Sequence, residues 1–362
     1  MTKIPPIYFY LPTSDFPEQV PDDADHYWVG FRKGIYCWTL QTYLNLKNRD
    51  FPCKLVDEIP AEGITFAHWD SLPAELVPSD QQLIVCFQAD RSRHPFAQVH
   101  IVQNREGLRR ELMTWGDRYL LAGQDYFMPL WSQPGLIPRD LERGDRFENL
   151  CFFGLECNLL PEFQAPIWQE QLKDLGVEWR IISAFDQWND YSQVDGILAV
   201  RSFQHKEFIW KPATKLFNAW HAGVPAILGC ETAYRAERKS DRDYLEVESV
   251  EETLKVVQRL KTDHALRQAM IQNGFKRAEE TTQDQLSDRW INLIQNNLIP
   301  SYSRWEQSSS HRANFLRLRR IAIQTREQRK QLQNIRNQLG IRSKIKSLIS
   351  TGLTHLLRKT SI

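Results

Sequence analysis

The sequence has no apolar run long enough to cross a membrane and no opening segment typical of a secretory signal. A spanning helix needs about 18 or more consecutive apolar residues, and no stretch of the 362 residues approaches that length. A signal peptide would begin with a basic segment followed by a long apolar run, and residues 1–12 have neither. We therefore expect a cytoplasmic protein.

Cysteine and clustered metal ligands are also scarce. The six cysteines are scattered along the chain, and Cys151 and Cys157 do not have the spacing of a zinc knuckle. We interpret most of the cysteines as small buried apolar residues in a reducing compartment. No His/Asp cluster has ligand spacing, so the sequence predicts neither a metal centre nor a bound cofactor.

The net charge of +1 conceals an uneven distribution of charge. From Pro300 onward, fourteen Lys or Arg residues stand against only two acids, and the preceding part of the chain is correspondingly acidic. An imperfect apolar stripe runs from Ile341 to Leu356. Three interpretations of this tail remain open: a partly disordered basic extension, contact with an anionic membrane surface, and self-association. No aromatic-interleaved motif supports binding of nucleic acid.

Short apolar runs alternate with helical patterns in two series. In the first series we predict strands at 4–11, 54–57, 64–68, 83–87, 99–102 and 119–121, and helices at 35–47 and 105–114. In the second we predict strands at 150–153, 177–183, 196–200, 225–229 and 244–247, and helices at 165–175, 212–222, 250–261, 263–280 and 284–298. The turn-forming segment 132–140 begins a linker between the two series.

This alternation predicts an α/β protein with two Rossmann-like doubly wound domains that face a cleft. The predicted divisions are an N-terminal α/β domain over 1–135, a linker over 136–149, a C-terminal α/β domain over 150–299 and a basic helical tail over 300–362.

The most informative stretch is Lys-Pro-Ala-Thr-Lys-Leu-Phe-Asn-Ala-Trp-His-Ala-Gly-Val-Pro-Ala-Ile-Leu-Gly, which covers residues 211–229. Pro212 suits the first position of a helix over 212–222 and Gly223 suits its end. Lys211, Lys215 and Asn218 share the polar face of that helix. Two lysines beside the N–H groups of a helix N-terminus favour a phosphate or diphosphate. A solvated lysine face is the alternative.

The same stretch resembles the nucleotide-binding core of glycosyltransferases with the two-domain GT-B fold. In many of them the helix reads Glu-Ala-Met-Ala-x-Gly-x-Pro. The resemblance is strongest over 196–262, weaker over 1–195 and absent from the tail. It implies that the C-terminal domain holds a nucleotide sugar and that the N-terminal domain binds the acceptor. It also implies diphosphate contacts from Lys211, Lys215 and Arg201, with Gly34 close to the donor.

The chain departs from the family motif at one position. Asn218 stands where the family has a ribose-binding Glu, and an amide can bond a hydroxyl without being a charged acceptor. We take Glu231, just beyond the strand at 225–229, as the substitute candidate, with an ordinary loop acid as the alternative. The N-terminal domain would supply any catalytic base, and the candidates near strand ends are His68, Asp70, Asp90 and His100. Each of these is also a plausible structural histidine or turn aspartate.

Together these features predict a metal-independent, hexosyltransferase-like glycosyltransferase. It would move a sugar from a nucleotide-diphosphate donor to a hydroxyl of a saccharide or lipid-linked glycan. One of the three open interpretations of the tail places it at the inner face of a membrane. One alternative is a catalytically silent GT-B-like module that binds a glycan or a protein. Another is a sugar-nucleotide epimerase, which would require carboxylate and histidine pairs across the cleft.

Overall fold

The protein folds around two separate parallel sheets. The structure, a computed structural model, describes residues 4–113 and 123–338. The strands of the first sheet are β1 (Ile7–Tyr10), β2 (Lys54–Val56), β3 (Gly63–His68), β4 (Gln82–Phe87), β5 (Val99–Val102) and β6 (Gln124–Phe127), in the order β2-β1-β3-β4-β5-β6. The central strands β3 and β4 are buried throughout, as is typical of parallel sheets covered on both faces. The predicted strand at 119–121 lies outside the described residues.

Of the two helices predicted in the N-terminal domain, the first is confirmed and the second is not. A π-helical turn (Tyr36–Leu40) continues into α1 (Gln41–Lys47), which matches the helix predicted over 35–47. The helix predicted over 105–114 is replaced in its described part by two short 3-10 turns, Arg105–Leu108 and Arg110–Leu112. The Asn104 side chain accepts the N–H of Glu106 at 3.0 Å. Such a local side-chain bond competes with α-helical hydrogen bonding.

The second sheet follows the linker. Its strands are β7 (Asn149–Phe153), β8 (Glu178–Ile182), β9 (Gly196–Ala199), β10 (Ala226–Leu228) and β11 (Leu245–Glu246), in the order β11-β10-β9-β7-β8. Its helices are α2 (Pro166–Asp174), α3 (Thr214–Ala222), α4 (Thr232–Glu237), α5 (Val250–Thr262) and α6 (His264–Ala278). All strand pairs in both sheets are parallel.

After α6 the chain returns to the first sheet. Helix α7 (Gln283–Leu293), a π-helical turn (Ile294–Leu298) and α8 (Ile299–Gln307) pack on that sheet. The Trp290 ring lies 6.0 Å from Phe66 and 5.7 Å from Phe87, edge to face. The sequence prediction assigned the helix at 284–298 to the C-terminal domain and residues from 300 onward to the tail, because helical periodicity shows an apolar face but not the sheet that the face covers.

In the described part of the tail, a long helix, α9 (Ser309–Gln338), follows α8. Its first half packs on the N-terminal domain, where Arg319 and Ala322 are buried and an Arg326 guanidinium N–H donates to the Arg93 carbonyl at 3.3 Å. From 327 to 335 every residue is exposed. The apolar stripe predicted over 341–356 lies outside the described residues. Within the described part of the chain, no helix is both long enough and apolar enough to cross a bilayer.

The two sheets present their carboxyl ends to a common cleft. Contacts between the domains close part of this cleft: Asn104 donates to the Phe208 carbonyl at 3.2 Å, and Arg105 pairs with Glu237 at 3.1 Å. The predicted fold class is therefore confirmed: two doubly wound α/β domains face a cleft, and a helical C-terminal segment follows them.

Candidate active site

The cleft holds two adjoining cavities, of about 630 Å³ and about 280 Å³. We refer to them as the larger and the smaller cavity. Both contain Gly34, Trp38, Asn158, Arg201 and Pro212 in their walls. Strand order reverses beside β1 in the first sheet and beside β7 in the second. Ligands of open α/β sheets bind outside the carboxyl ends of strands at such reversals, which makes this cleft the candidate active site.

Helix α3 begins at Thr214, two residues later than predicted. The Ala213 carbonyl accepts the N–H groups of Leu216 and Phe217, at 2.9 and 3.1 Å, so Lys211 lies in the preceding loop. The prediction that Lys211 and Lys215 share one helical face is therefore wrong. The fixed φ of proline suits a loop as well as a first helical turn, so Pro212 alone does not set the start of the helix.

Lys215 is a partly buried cation in the wall of the smaller cavity. Its Nζ lies 5.3 Å from the centre of the Phe152 ring, and among the described residues it forms no ion pair. Burial and then the positive charge of Arg201 lower the pKa of Lys215 to about 7. A desolvated amine that forms no ion pair with the described residues is suited to bind an anionic ligand.

Gly154, which sequence reasoning missed, lies beside this amine. It follows β7 directly and has φ +147°, a conformation that favours glycine. A Cβ at this position would lie 3.5 Å from the Lys215 Nζ and 3.1 Å from the Phe152 ring. The signal was a glycine immediately after a predicted buried strand.

Arg201 lies in the walls of both cavities, and Glu231 holds it there. One Glu231 carboxylate oxygen pairs with the Arg201 guanidinium, and the other has no hydrogen-bond partner among the described residues. Glu231 is only 1% exposed, and burial raises its pKa. Glu231 is not in the wall of either cavity, and its role as a ribose contact stays a prediction.

Asn218 has a structural partner. Its Oδ1 accepts the backbone N–H of Gln133 at 3.0 Å, which ties α3 to the linker. One of the two lone pairs of this oxygen is thus used within the protein, and Asn218 remains in the wall of the smaller cavity. Several aromatic rings line the smaller cavity, with Phe153 stacked on Tyr191 at 4.3 Å and Trp188 nearby. Such rings suit a flat or apolar ligand group.

Each acid in the wall of the larger cavity has a cationic partner. The three pairs, with their N–O distances, are Asp90 with Lys211 at 2.5 Å, Asp70 with Arg91 at 2.8 Å and Asp15 with Lys33 at 3.5 Å. The first pair joins the two domains. Asp70 and Asp90 are thus placed in the cleft as predicted, and each carboxylate is held by its cationic partner.

His68 lies at the end of β3 with its ring in the wall of the larger cavity. Its Nδ1 accepts the backbone N–H of Asp70 at 3.1 Å, and burial lowers its pKa. The neutral ring therefore carries its proton on Nε2, the atom nearest to Gly34. In this state His68 offers a hydrogen-bond donor to the cleft instead of the base that the sequence predicted.

His100 does not reach the cleft, so its prediction as a catalytic candidate is wrong. It lies inside β5, which runs to Val102, and it is fully buried. Its Nε2 accepts the N–H of His94 at 3.0 Å and its Nδ1 lies 3.5 Å from Asp125. The sequence pattern located the strand correctly, but His100 is not at its end.

Three potential metal ligands meet at the edge of the second sheet: His205, Cys230 and Glu248, whose ligand atoms lie within 4.8 Å of one another. Arg235 donates to the His205 Nδ1 at 2.6 Å, so the ring proton is on Nε2, which faces Glu248 at 3.3 Å. A metal-bound histidine instead donates its second N–H to an acceptor. The three side chains are already engaged in contacts with one another and with Arg235. This arrangement does not fit a metal centre.

No protein-family model matches the sequence, and a comparison with curated proteins finds no match. Among solved structures, the chain is similar to sucrose-phosphate synthase from Thermosynechococcus elongatus (TM-score 0.44, 12% identity, 66% of this chain and 74% of that one). It is similar to the pneumococcal O-GlcNAc transferase GtfA in complex with UDP and GlcNAc (0.42, 11%, 65% and 57%). It is also similar to WaaG, a glycosyltransferase involved in lipopolysaccharide biosynthesis (0.37, 12%, 80% and 100%).

Proposed function

We propose that this chain is a glycosyltransferase that moves a sugar from a nucleotide-diphosphate donor to a hydroxyl acceptor without a metal. The observation that carries this proposal is Lys215, a desolvated amine in the wall of the smaller cavity that forms no ion pair with the described residues and lies near Arg201, which is in the walls of both cavities. A diphosphate supplies the charge that this position lacks. The first turn of α3 would add its N–H groups to the same anion.

The two cavities then divide the substrates. We place the nucleoside in the smaller, aromatic cavity and the transferred sugar with its acceptor in the larger one. The acceptor oxygen forms a bond to the anomeric carbon as the bond from that carbon to the diphosphate oxygen breaks. Negative charge grows on the leaving diphosphate, and Arg201, Lys215 and Lys211 stabilise it in place of a metal. A screen of nucleotide sugars and saccharide acceptors would identify the sugar and the acceptor.

The ion pair between Lys211 and Asp90 links donor binding to deprotonation of the acceptor hydroxyl. Lys211 holds Asp90 at 2.5 Å across the domains, so a diphosphate must compete with this carboxylate for the amine. Once Lys211 turns to the diphosphate, Asp90 becomes free to accept the proton that leaves the acceptor hydroxyl.

Replacing Asp90 with Asn is expected to strengthen nucleotide-diphosphate binding by about tenfold, because Lys211 no longer has a competing carboxylate. Isothermal titration of UDP and GDP measures the change. Asp70→Asn is the matched control, since it removes the same charge from the same cavity but frees Arg91. Equal gains in both variants, or a loss in Asp90→Asn, would show that Asp90 does not compete for Lys211.

A mass-spectrometric screen of nucleotide sugars and saccharide acceptors tests the proposed function directly. Transfer to an acceptor supports it, whereas absence of both nucleotide binding and transfer overturns it. Binding without transfer or hydrolysis would favour the silent binding module, which the missing carboxylate at Asn218 also favours. The epimerase condition is not met by the described wall of the larger cavity, where the histidine and carboxylates all come from the N-terminal domain.

We further propose that the second half of α9 contacts an anionic membrane surface. This helix carries eight Lys or Arg residues and one acid. Beyond Arg326 it leaves the protein surface, and Leu332 and Ile335 are 65% and 50% exposed. Exposed basic residues with interspersed apolar ones suit a surface of anionic lipid.

The double change Arg329→Glu with Lys330→Glu is expected to weaken binding to phosphatidylserine-containing vesicles by at least about tenfold, since each basic residue near such a surface contributes about 1 kcal/mol. Co-sedimentation measures the bound fraction. Lys255→Glu with Arg259→Glu makes the same charge change on the exposed face of α5 and is expected to bind like the wild type. Equal binding of all three proteins would rule out this contact.

A further inference from the structure

A third cavity, of about 310 Å³, lies next to the larger one on the N-terminal side of the cleft. The two share Ala89, Asp90, Arg91 and Gln103 in their walls. We call it the side cavity. Its volume is at the lower end of the range of small-molecule pockets, and its shared wall contains the carboxylate that we propose as the proton acceptor.

Besides its polar residues, the wall of the side cavity contains a group of apolar residues from both domains. The N-terminal domain contributes Val102, Leu112 and Met113, and the loop before α3 contributes Ile209 and Trp210. Trp210 is 42% exposed, an unusual degree for a tryptophan beside an enclosed space. A set of aliphatic side chains with one half-exposed indole is suited to an apolar ligand group.

Direct contacts hold the loop that closes this cavity. Gln103 donates to the Trp210 carbonyl at 2.5 Å and Asn104 donates to the Phe208 carbonyl at 3.2 Å. A Cβ at Gly107 would lie 3.2 Å from the Ile209 carbonyl oxygen, so the loop also packs closely on the turn beneath it. The side cavity is therefore formed before any ligand arrives.

The charged residues around the side cavity are already paired. Arg91 binds Asp70 at 2.8 Å, Arg93 binds Asp125 at 2.5 Å, and Asp90 binds Lys211 at 2.5 Å. The described residues that line this space thus offer no unpaired charge to an ionic ligand. An uncharged apolar group is therefore the ligand whose transfer from water into the side cavity costs the least free energy.

We propose that the side cavity binds an apolar group of the acceptor, an aryl or short alkyl substituent, and so places the adjoining hydroxyl beside Asp90. This inference rests on the proposed glycosyltransferase function and narrows it to acceptors that carry an apolar substituent next to the reacting sugar or alcohol. The apolar group enters between Trp210 and Met113, and the polar part of the acceptor remains in the larger cavity.

Matched glycosides test this assignment on the full-length protein. The probes are the phenyl and methyl β-glycosides of glucose, galactose, mannose and N-acetylglucosamine, each titrated calorimetrically in the presence of UDP and, separately, of GDP. We expect at least one phenyl glycoside to bind about tenfold more tightly than its methyl partner, because the ring buries apolar surface in the side cavity.

Two tryptophan substitutions locate the binding. Leu112→Trp fills the side cavity and is expected to remove the preference for phenyl over methyl. Leu141→Trp adds the same bulk at a position that is 91% exposed and is expected to keep the preference. Separate titrations of UDP and GDP report whether each variant retains its fold and its donor site.

The outcomes separate this inference from the proposed function. If the wild type binds no nucleotide, the proposed function fails, and this inference fails with it. If nucleotide binds but no phenyl glycoside is preferred, or if the preference survives in Leu112→Trp, the side cavity does not hold an apolar acceptor group and only this inference is overturned.

Discussion

Nucleotide-sugar binding is expected to fall by roughly 100-fold when Lys215 is replaced by alanine, because a charge-assisted contact to the diphosphate is lost from a desolvated position. Arg201 remains in this variant, so the loss measures the amine itself. Lys211→Ala is expected to have a smaller effect, since that lysine lies in the loop and is shared with Asp90.

The same lysine predicts a pH dependence with a definite sign. The pKa of Lys215 in the free protein is lowered to about 7, and a bound diphosphate would raise it. Below about pH 7 the amine is already charged, so affinity is flat. At higher pH the protein must take up a proton to bind, and affinity falls by up to tenfold for each pH unit.

Titrations of a nucleotide sugar between pH 6 and pH 9 measure this profile, with the donor chosen because its diphosphate diester does not ionise in that range. Lys215→Arg is the matched control, since a guanidinium stays charged throughout and its profile should be flat. A wild-type affinity that does not change across this range would contradict the role given to Lys215, as would an alanine variant of unchanged affinity.

Arg201→Ala is expected to lower the free energy of unfolding by about 3–5 kcal/mol, because it leaves Glu231 buried without its counter-ion. Burial already raises the pKa of Glu231 in the wild type, and loss of Arg201 raises it further. A carboxyl group whose folded-state pKa lies above its unfolded value destabilises the protein as pH rises. The variant should therefore be less impaired at pH 5 than at pH 8.

Urea unfolding of Arg201→Ala at these two pH values measures the effect. The double variant Arg201→Ala with Glu231→Gln is the control: the amide carries no charge, so most of the lost stability should return while nucleotide binding remains weak. If the double variant is as unstable as the single one, the loss comes from packing of the Arg201 side chain and the ion pair is not its cause.

The sequence predicted the general arrangement of the site because strand ends are predictable. Buried runs located β7, β9 and β10, and the carboxyl ends of parallel strands meet at one edge of a sheet. Arg201 and Lys215 were therefore brought into the same region as predicted. The fold class followed from the same alternation of strands and helices.

The sequence did not predict contacts between distant parts of the chain. The pairing of Lys211 with Asp90 depends on how the two domains approach each other, which no local pattern encodes. Glu231 was placed near the site correctly, but whether its carboxylate faces a ligand or an arginine depends on side-chain packing. His100 shows the same limit of sequence-based prediction. It lies two residues before the end of β5, and its side chain is buried in the protein instead of facing the cleft.

The return of α7 and α8 to the first sheet has a consequence for any attempt to divide the protein. Trp290 and Trp305 belong to the same core as Phe66 and Phe87, so a fragment that stops at residue 135 would lack part of its own interior. A proteolytic cut in the linker would likewise leave two pieces that stay associated through this shared core. The molecule has two lobes in shape, but the N-terminal lobe is not an independent folding unit.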